Sequence, residues 1–146
     1  EIASCLVGSE MCIRDSYPIA LEGALKLKEL AYVHAEGIAA GELKHGPLAL
    51  MEKNTFVVML NPHDPTFGDT ISNAHEIKAR GATVIGISDR KDDIYDHWIE
   101  IPHLKEEAFY PIVEVIPLQM LAYHLALAKN VDPDYPRNLA KSVTVR

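Results

Sequence analysis

The chain has 146 residues, 48% of them hydrophobic and 24% charged, which suits one domain with a full core and excludes a disordered protein. Its net charge of −7 and its scattered basic residues leave no electrostatic footprint for DNA, RNA or an anionic membrane, so neither nucleic acid nor membrane is expected as a partner. The two cysteines, Cys5 and Cys12, cannot build a disulfide framework or a zinc site, and apolar stretches are interrupted by charge or proline before a spanning length of about 18–20 residues.

Residues 1–16 lack an initiating methionine, an amphipathic period and the basic start of a signal peptide. The run Cys5-Leu-Val-Gly-Ser-Glu-Met-Cys-Ile-Arg-Asp-Ser16 resembles translated adapter DNA, so 1–16 is expected to be a non-native leader. Residues 17–34 read as a helix, with Pro18 suited to its first turn and no breaker before Gly37. A shorter helical piece at 39–44 stops at Gly46-Pro47.

Residues 55–60 are a short β-rich apolar run, expected as a strand buried on both faces. A loop at 61–65 leads to an amphipathic helix at 67–80 capped by Gly81, and 82–87 reads as the next buried strand. After a charged turn at 88–93, residues 98–102 alternate like an edge strand, 111–130 form a last apolar helix, and 131–146 are a tail. This alternation predicts a layered α/β fold with a mainly parallel sheet, a domain at 17–130, and a first strand missing or replaced by the leader. No Gly-x-Gly-x-x-Gly and no Walker loop is present, so a phosphate site must come from elsewhere.

The charged pattern of the first helix carries the chemistry. At 100° per residue Glu22, Lys26 and Glu29 fall within a stripe about 60° wide on a helix otherwise largely apolar, and charge in such surroundings must be paired or face a wet cleft. The same spacing also fits an ordinary exposed ladder of ion pairs. His45, by itself, fits an ordinary loop histidine equally well.

Three segments carry a resemblance: Leu21-Glu-Gly-Ala-Leu-Lys-Leu-Lys-Glu29, Ala39-Ala-Gly-Glu-Leu-Lys-His-Gly-Pro-Leu-Ala49 and Asp134-Tyr-Pro-Arg-Asn-Leu-Ala-Lys-Ser-Val-Thr-Val145. Over 17–145 the chain resembles the C-terminal sugar-isomerase (SIS) subdomain of the isomerizing glutamine–fructose-6-phosphate aminotransferase family, the glucosamine-6-phosphate synthases. The first two segments recur among SIS proteins generally; the third is specific to the synthases.

The resemblance implies a three-layer αβα, flavodoxin-like fold forming half of an isomerase domain in a cytoplasmic homodimer. It implies sugar-phosphate chemistry without a cofactor or metal. Fructose 6-phosphate is opened, ammonia from a glutaminase domain adds at C2, and a proton moves from C1 to C2. Glu29 then corresponds to the proton-shuttling base, with Lys26 beside it. His45 assists ring opening in the neighbouring subunit's site, Lys141 lies next to the reacting carbonyl, and Arg137 and Ala140 belong to the substrate-binding tail. These residue types suit the chemistry: a positioned carboxylate for the α-proton, an imidazole to give and take a proton near neutrality, and a lysine to meet developing negative charge.

The glutaminase domain and the subdomain with the phosphate loop have no counterpart in these residues, so a truncated gene model, inactive by itself, is expected. Two alternatives stand beside the synthase: a phosphosugar-sensing SIS module of a regulator, and an SIS aldose–ketose isomerase or deglycase. The synthase-like tail speaks against both.

Overall fold

The computed structural model describes residues 4–8, 16–135 and 137. Five parallel strands, β1 (Ser4–Gly8), β2 (Ala35–Ala39), β3 (Phe56–Leu60), β4 (Thr83–Ser88) and β5 (His97–Glu100), form one sheet in the order β2-β1-β3-β4-β5. Three α-helices connect or flank them: α1 (Ser16–Ala31), α2 (Phe67–Lys78) and α3 (Tyr110–Ala128).

Alternation along β3 divides the core. Val57 and Met59 point into a cluster with Ala74 and Ile77 of α2, Val84, and Leu43 and Leu48 of the β2–β3 crossover. Val58 and Leu60 point the other way, against Ala20, Ala24 and Leu27 of α1 and Leu118 and Ala122 of α3. The period of two along a strand thus separates two helical layers, giving the expected three-layer αβα architecture with its flavodoxin-like strand order.

The place of the first strand, expected to be missing or replaced by the leader, is taken by leader residues. Ser4–Gly8 lies between β2 and β3, one strand in from the edge, its register running from Ser4 opposite Ala35 and Phe56 to Gly8 opposite Ala39 and Leu60. Parallel pairing is made by backbone groups, so any short extended segment that follows the ladder satisfies both neighbours.

Strand β2 was not expected at all. Its Glu36 and Gly37 hide it from a reading of apolar runs, yet Gly37 is there for packing: a Cβ at that position would stand 2.7 Å from the Leu21 amide nitrogen and 2.8 Å from the Leu21 Cα. Helix α1 therefore rests directly on the β2 backbone.

Other differences are local. The piece expected as a helix at 39–44 is a 3₁₀ turn, Ala40–His45, followed by a second, Pro47–Leu50. Helix α1 ends at Ala31, three residues early, because Tyr32 adopts a left-handed backbone with φ of 51°.

The expectation that no stretch reaches a spanning length is also qualified. The helical stretch Glu107–Ala128 is long and apolar enough by length and composition alone. Its apolar character has a packing source: Leu118, Ala122 and Ala126 are buried beneath it, while Ile112, Ile116, Met120, Tyr123 and Leu127 lie exposed along its outer side.

Because both α1 and α3 run antiparallel to the strands, their first turns sit together at the carboxyl end of the sheet and their last turns at the amino end. Ser16 meets Glu114 at one pole. Ala31, Val33 and Ala126 cluster at the other.

Candidate functional site

On α1 the spacing of 22, 26 and 29 brings three charged side chains together. Lys26 Nζ lies 2.9 Å from Glu29 Oε2 and 3.4 Å from Glu22 Oε1. The Glu29 side chain is 24% exposed and that of Lys26 29%, so the pair is largely covered rather than standing on a fully solvated ridge. The hydrogen bond to Glu29, with the nearby Glu22 charge adding to it, raises the Lys26 pKa against the opposing effect of burial. Lys26 is therefore a firm cation that holds the Glu29 carboxylate in one orientation, a geometry suited to a carboxylate that must meet a carbon-bound proton.

His45 is not brought to this group. It closes the first 3₁₀ turn, exposed to solvent, and that turn belongs to the α2 side of the sheet: Ala40 and Leu43 pack into the α2 cluster, the Asn73 amide donates to the Ala40 carbonyl at 3.2 Å, and Lys44 pairs with Glu76 at 2.7 Å. Within one chain the sheet stands between His45 and Glu29.

Arg137 is found at the foot of α1. Its backbone N–H donates to the Tyr32 hydroxyl at 2.6 Å, and its guanidinium carbon sits 4.4 Å from the centre of the Tyr32 ring. Ala140 and Lys141 lie outside the described residues.

A second polar cluster, at the carboxyl ends of β3, β4 and β5, was not foreseen. Asp89, its side chain only 1% exposed, accepts from the Tyr110 hydroxyl at 2.8 Å, from His103 Nδ1 at 2.6 Å and, on its other oxygen, from the His63 backbone N–H at 2.8 Å. Burial works to raise the Asp89 pKa, but these donors outweigh it and hold it below the ordinary aspartate value.

Beside it Glu114 is fully buried, with Ser16 Oγ donating at 2.9 Å to its carboxylate. Burial, aided by Asp64 and Asp89 and opposed by Ser16, pushes its pKa up to about 7. One signal in the sequence marks it: Glu114 is the only Asp, Glu, Lys or Arg between residues 108 and 128. Among the described residues no group of three His, Cys, Asp or Glu side chains is arranged to hold a metal ion.

Comparison with known proteins narrows what this fold and charged stripe belong to. The SIS domain family model matches residues 11–129. A glutamine–fructose-6-phosphate aminotransferase (isomerizing) of Thermococcus kodakarensis is 57% identical over 132 residues, which is 89% of this chain and 22% of that protein. One from Salmonella typhi is 53% identical over 135 residues. The chain thus spans about a fifth of the length of the curated relatives it matches.

Among solved structures, the C-terminal domain of the glucosamine-fructose-6-phosphate aminotransferase from Francisella tularensis superposes with a TM-score of 0.82 at 40% identity, covering 92% of this chain and 38% of that one. With a family model spanning most of its length and a fold shared with that C-terminal domain, the chain belongs to the SIS domain family.

Proposed function

We propose that this chain is the C-terminal half of the isomerase domain of a cytoplasmic glutamine–fructose-6-phosphate aminotransferase, holding the acid–base groups of the reaction and inactive without the rest of that protein. The observation that carries the reading is the ion-paired Glu22–Lys26–Glu29 group, partly buried on α1 beside the exposed Leu21 and Leu25, in a chain 57% identical to such an enzyme.

In this reading ammonia, released from glutamine by a separate domain, adds to C2 of open-chain fructose 6-phosphate and water leaves to form an imine. Glu29 takes a proton from C1 as the imine nitrogen gains one, leaving an enolamine; the same carboxyl then returns its proton to C2 while the C1 hydroxyl gives up its own proton and becomes the aldehyde carbonyl of glucosamine 6-phosphate. Lys26 orients Glu29 and keeps a positive charge beside it. Lys141 neutralises negative charge developing at the carbonyl oxygen, and Arg137 and Ala140 hold the substrate. His45 opens the sugar ring in the site of the second subunit of a homodimer.

The test is a chimera in which residues 17–146 replace the matching segment of the Thermococcus kodakarensis enzyme. Formation of glucosamine 6-phosphate from fructose 6-phosphate and glutamine is the expected result. A folded chimera that still hydrolyses glutamine but makes no amino sugar would overturn the reading.

A further inference from the structure

We infer that Tyr32 is a positioning residue that moors the C-terminal tail to the foot of the helix carrying Glu29; the inference rests on the reading above, in which the tail belongs to the site. The first observation is the backbone of Tyr32. Its φ of 51° is a left-handed conformation that glycine or asparagine takes at a helix end with little strain and that a bulky aromatic residue takes at a penalty. An aromatic side chain kept where the backbone favours glycine has a use for its ring.

The second observation is what that ring does. The hydroxyl accepts the Arg137 N–H at 2.6 Å, the face carries the Arg137 guanidinium at 4.4 Å, and the Tyr32 carbonyl takes Lys129 Nζ at 3.3 Å. One residue thus joins the end of α1, the end of α3 and the root of the tail, across a separation of 105 positions in sequence.

Covalent reach gives the contact its consequence. Tyr32 follows Glu29 by three residues, a helical turn of about 5 Å. Lys141 follows Arg137 by four, so its Cα can lie no more than about 14 Å from that of Arg137. With Arg137 held at Tyr32, chain length alone bounds how far Lys141 can lie from Glu29 and Lys26, and in the proposed site a lysine so bounded meets the substrate in a larger share of its arrangements.

The experiment compares Tyr32→Phe, which removes only the hydroxyl, with Tyr32→Gly, which removes the clamp and relieves the backbone, both in the full-length chimera. If Tyr32 merely ends a helix, the glycine variant keeps its kcat and its Tm does not fall. If Tyr32 positions the tail, kcat falls about tenfold or more in the glycine variant and about threefold in the phenylalanine variant, with a smaller change in KM for fructose 6-phosphate and no fall in Tm.

Trypsin cleavage after Arg137 should also quicken by about tenfold in the glycine variant, as the tail leaves its mooring. An active chimera whose glycine variant matches it in kcat and in cleavage rate overturns the inference and leaves the functional reading standing. An unsubstituted chimera that makes no amino sugar overturns both.

Discussion

Replacing Glu114 by glutamine tests the energetics of the buried pole most directly. The carboxyl is fully buried between α1 and the strand ends, and the groups facing it are Ser16 from α1, Asp64 from the loop after β3 and Asp89 from the end of β4. Two of those three are negative, so the charged form of Glu114 meets burial and repulsion with one hydroxyl as relief.

A pKa raised to about 7 from the ordinary glutamate value of 4.5 means the folded chain binds this proton more tightly than the unfolded one. The stabilisation is complete below about pH 4.5, declines as pH rises, and is gone above pH 7, a total on the order of 3 kcal/mol. Glutamine keeps an acceptor for Ser16 Oγ and cannot ionise.

The variant should therefore match the natural chain near pH 4.5 and exceed its stability by about 2–3 kcal/mol at pH 8, roughly 5–10 °C in Tm. Urea unfolding of the 146-residue chain, followed by circular dichroism at half-unit steps of pH, measures the difference while cancelling groups common to both. A difference that stays flat from pH 4.5 to 8 would refute the assignment of a strained carboxylate at this position.

Glu29→Gln in the chimera should lower amino-sugar formation by about 10²–10⁴-fold, with glutamine hydrolysis kept and little change in sugar affinity; steady-state kinetics with each substrate reads this out. Mixed dimers of Glu29→Ala and His45→Ala chains should recover part of the activity that each lacks alone, whereas sites built within single chains would recover none. Gly37→Ala should destabilise the fold by about 2 kcal/mol or more in urea titrations, because the backbone at Leu21 cannot retreat from a new methyl 2.7 Å away. Asp89→Asn should lower stability at pH 7 by about 1–3 kcal/mol, since the buried acceptor of three donors is weakened. That loss should shrink as pH falls through the lowered Asp89 pKa, and unfolding at pH 7 and pH 3 provides the comparison.

What the sequence revealed follows the range of the forces involved. Strands β3 and β4 announce themselves because both faces are buried, which demands continuous apolar runs, and α1 shows its charged stripe because residues three and four apart are neighbours on any helix. Strand β2 stays hidden because its one glycine answers to a helix that crosses it, not to a local turn. Strand β1 is masked by the leader-like character of its sequence, whereas its place between β2 and β3 depends on backbone pairing that side chains barely advertise. The Asp89 cluster draws its members from the segments after three different strands, and the Tyr32–Arg137 contact joins residues 105 positions apart. No local pattern reports such meetings.

The geometry also bears on how a site using both Glu29 and His45 has to be assembled. Helix α1 packs on one face of the sheet and the Ala40–His45 turn on the other, with the sheet between. Layers in such folds lie about 10 Å apart, so the two groups are on the order of 20 Å from one another in a single chain. An open-chain hexose phosphate has its reacting atoms C1, C2 and the ring oxygen within a few ångströms, and proton transfer requires heavy-atom contacts of about 3 Å. No side-chain rotation closes a gap of that size. If both residues act on one sugar, they come from different chains, and His45 is then in the right place: exposed, on a short turn, free to enter a neighbour's cleft. Complementation between the two alanine variants is therefore the expected result if the chain acts as a dimer, and its absence would argue that each site is built within one chain.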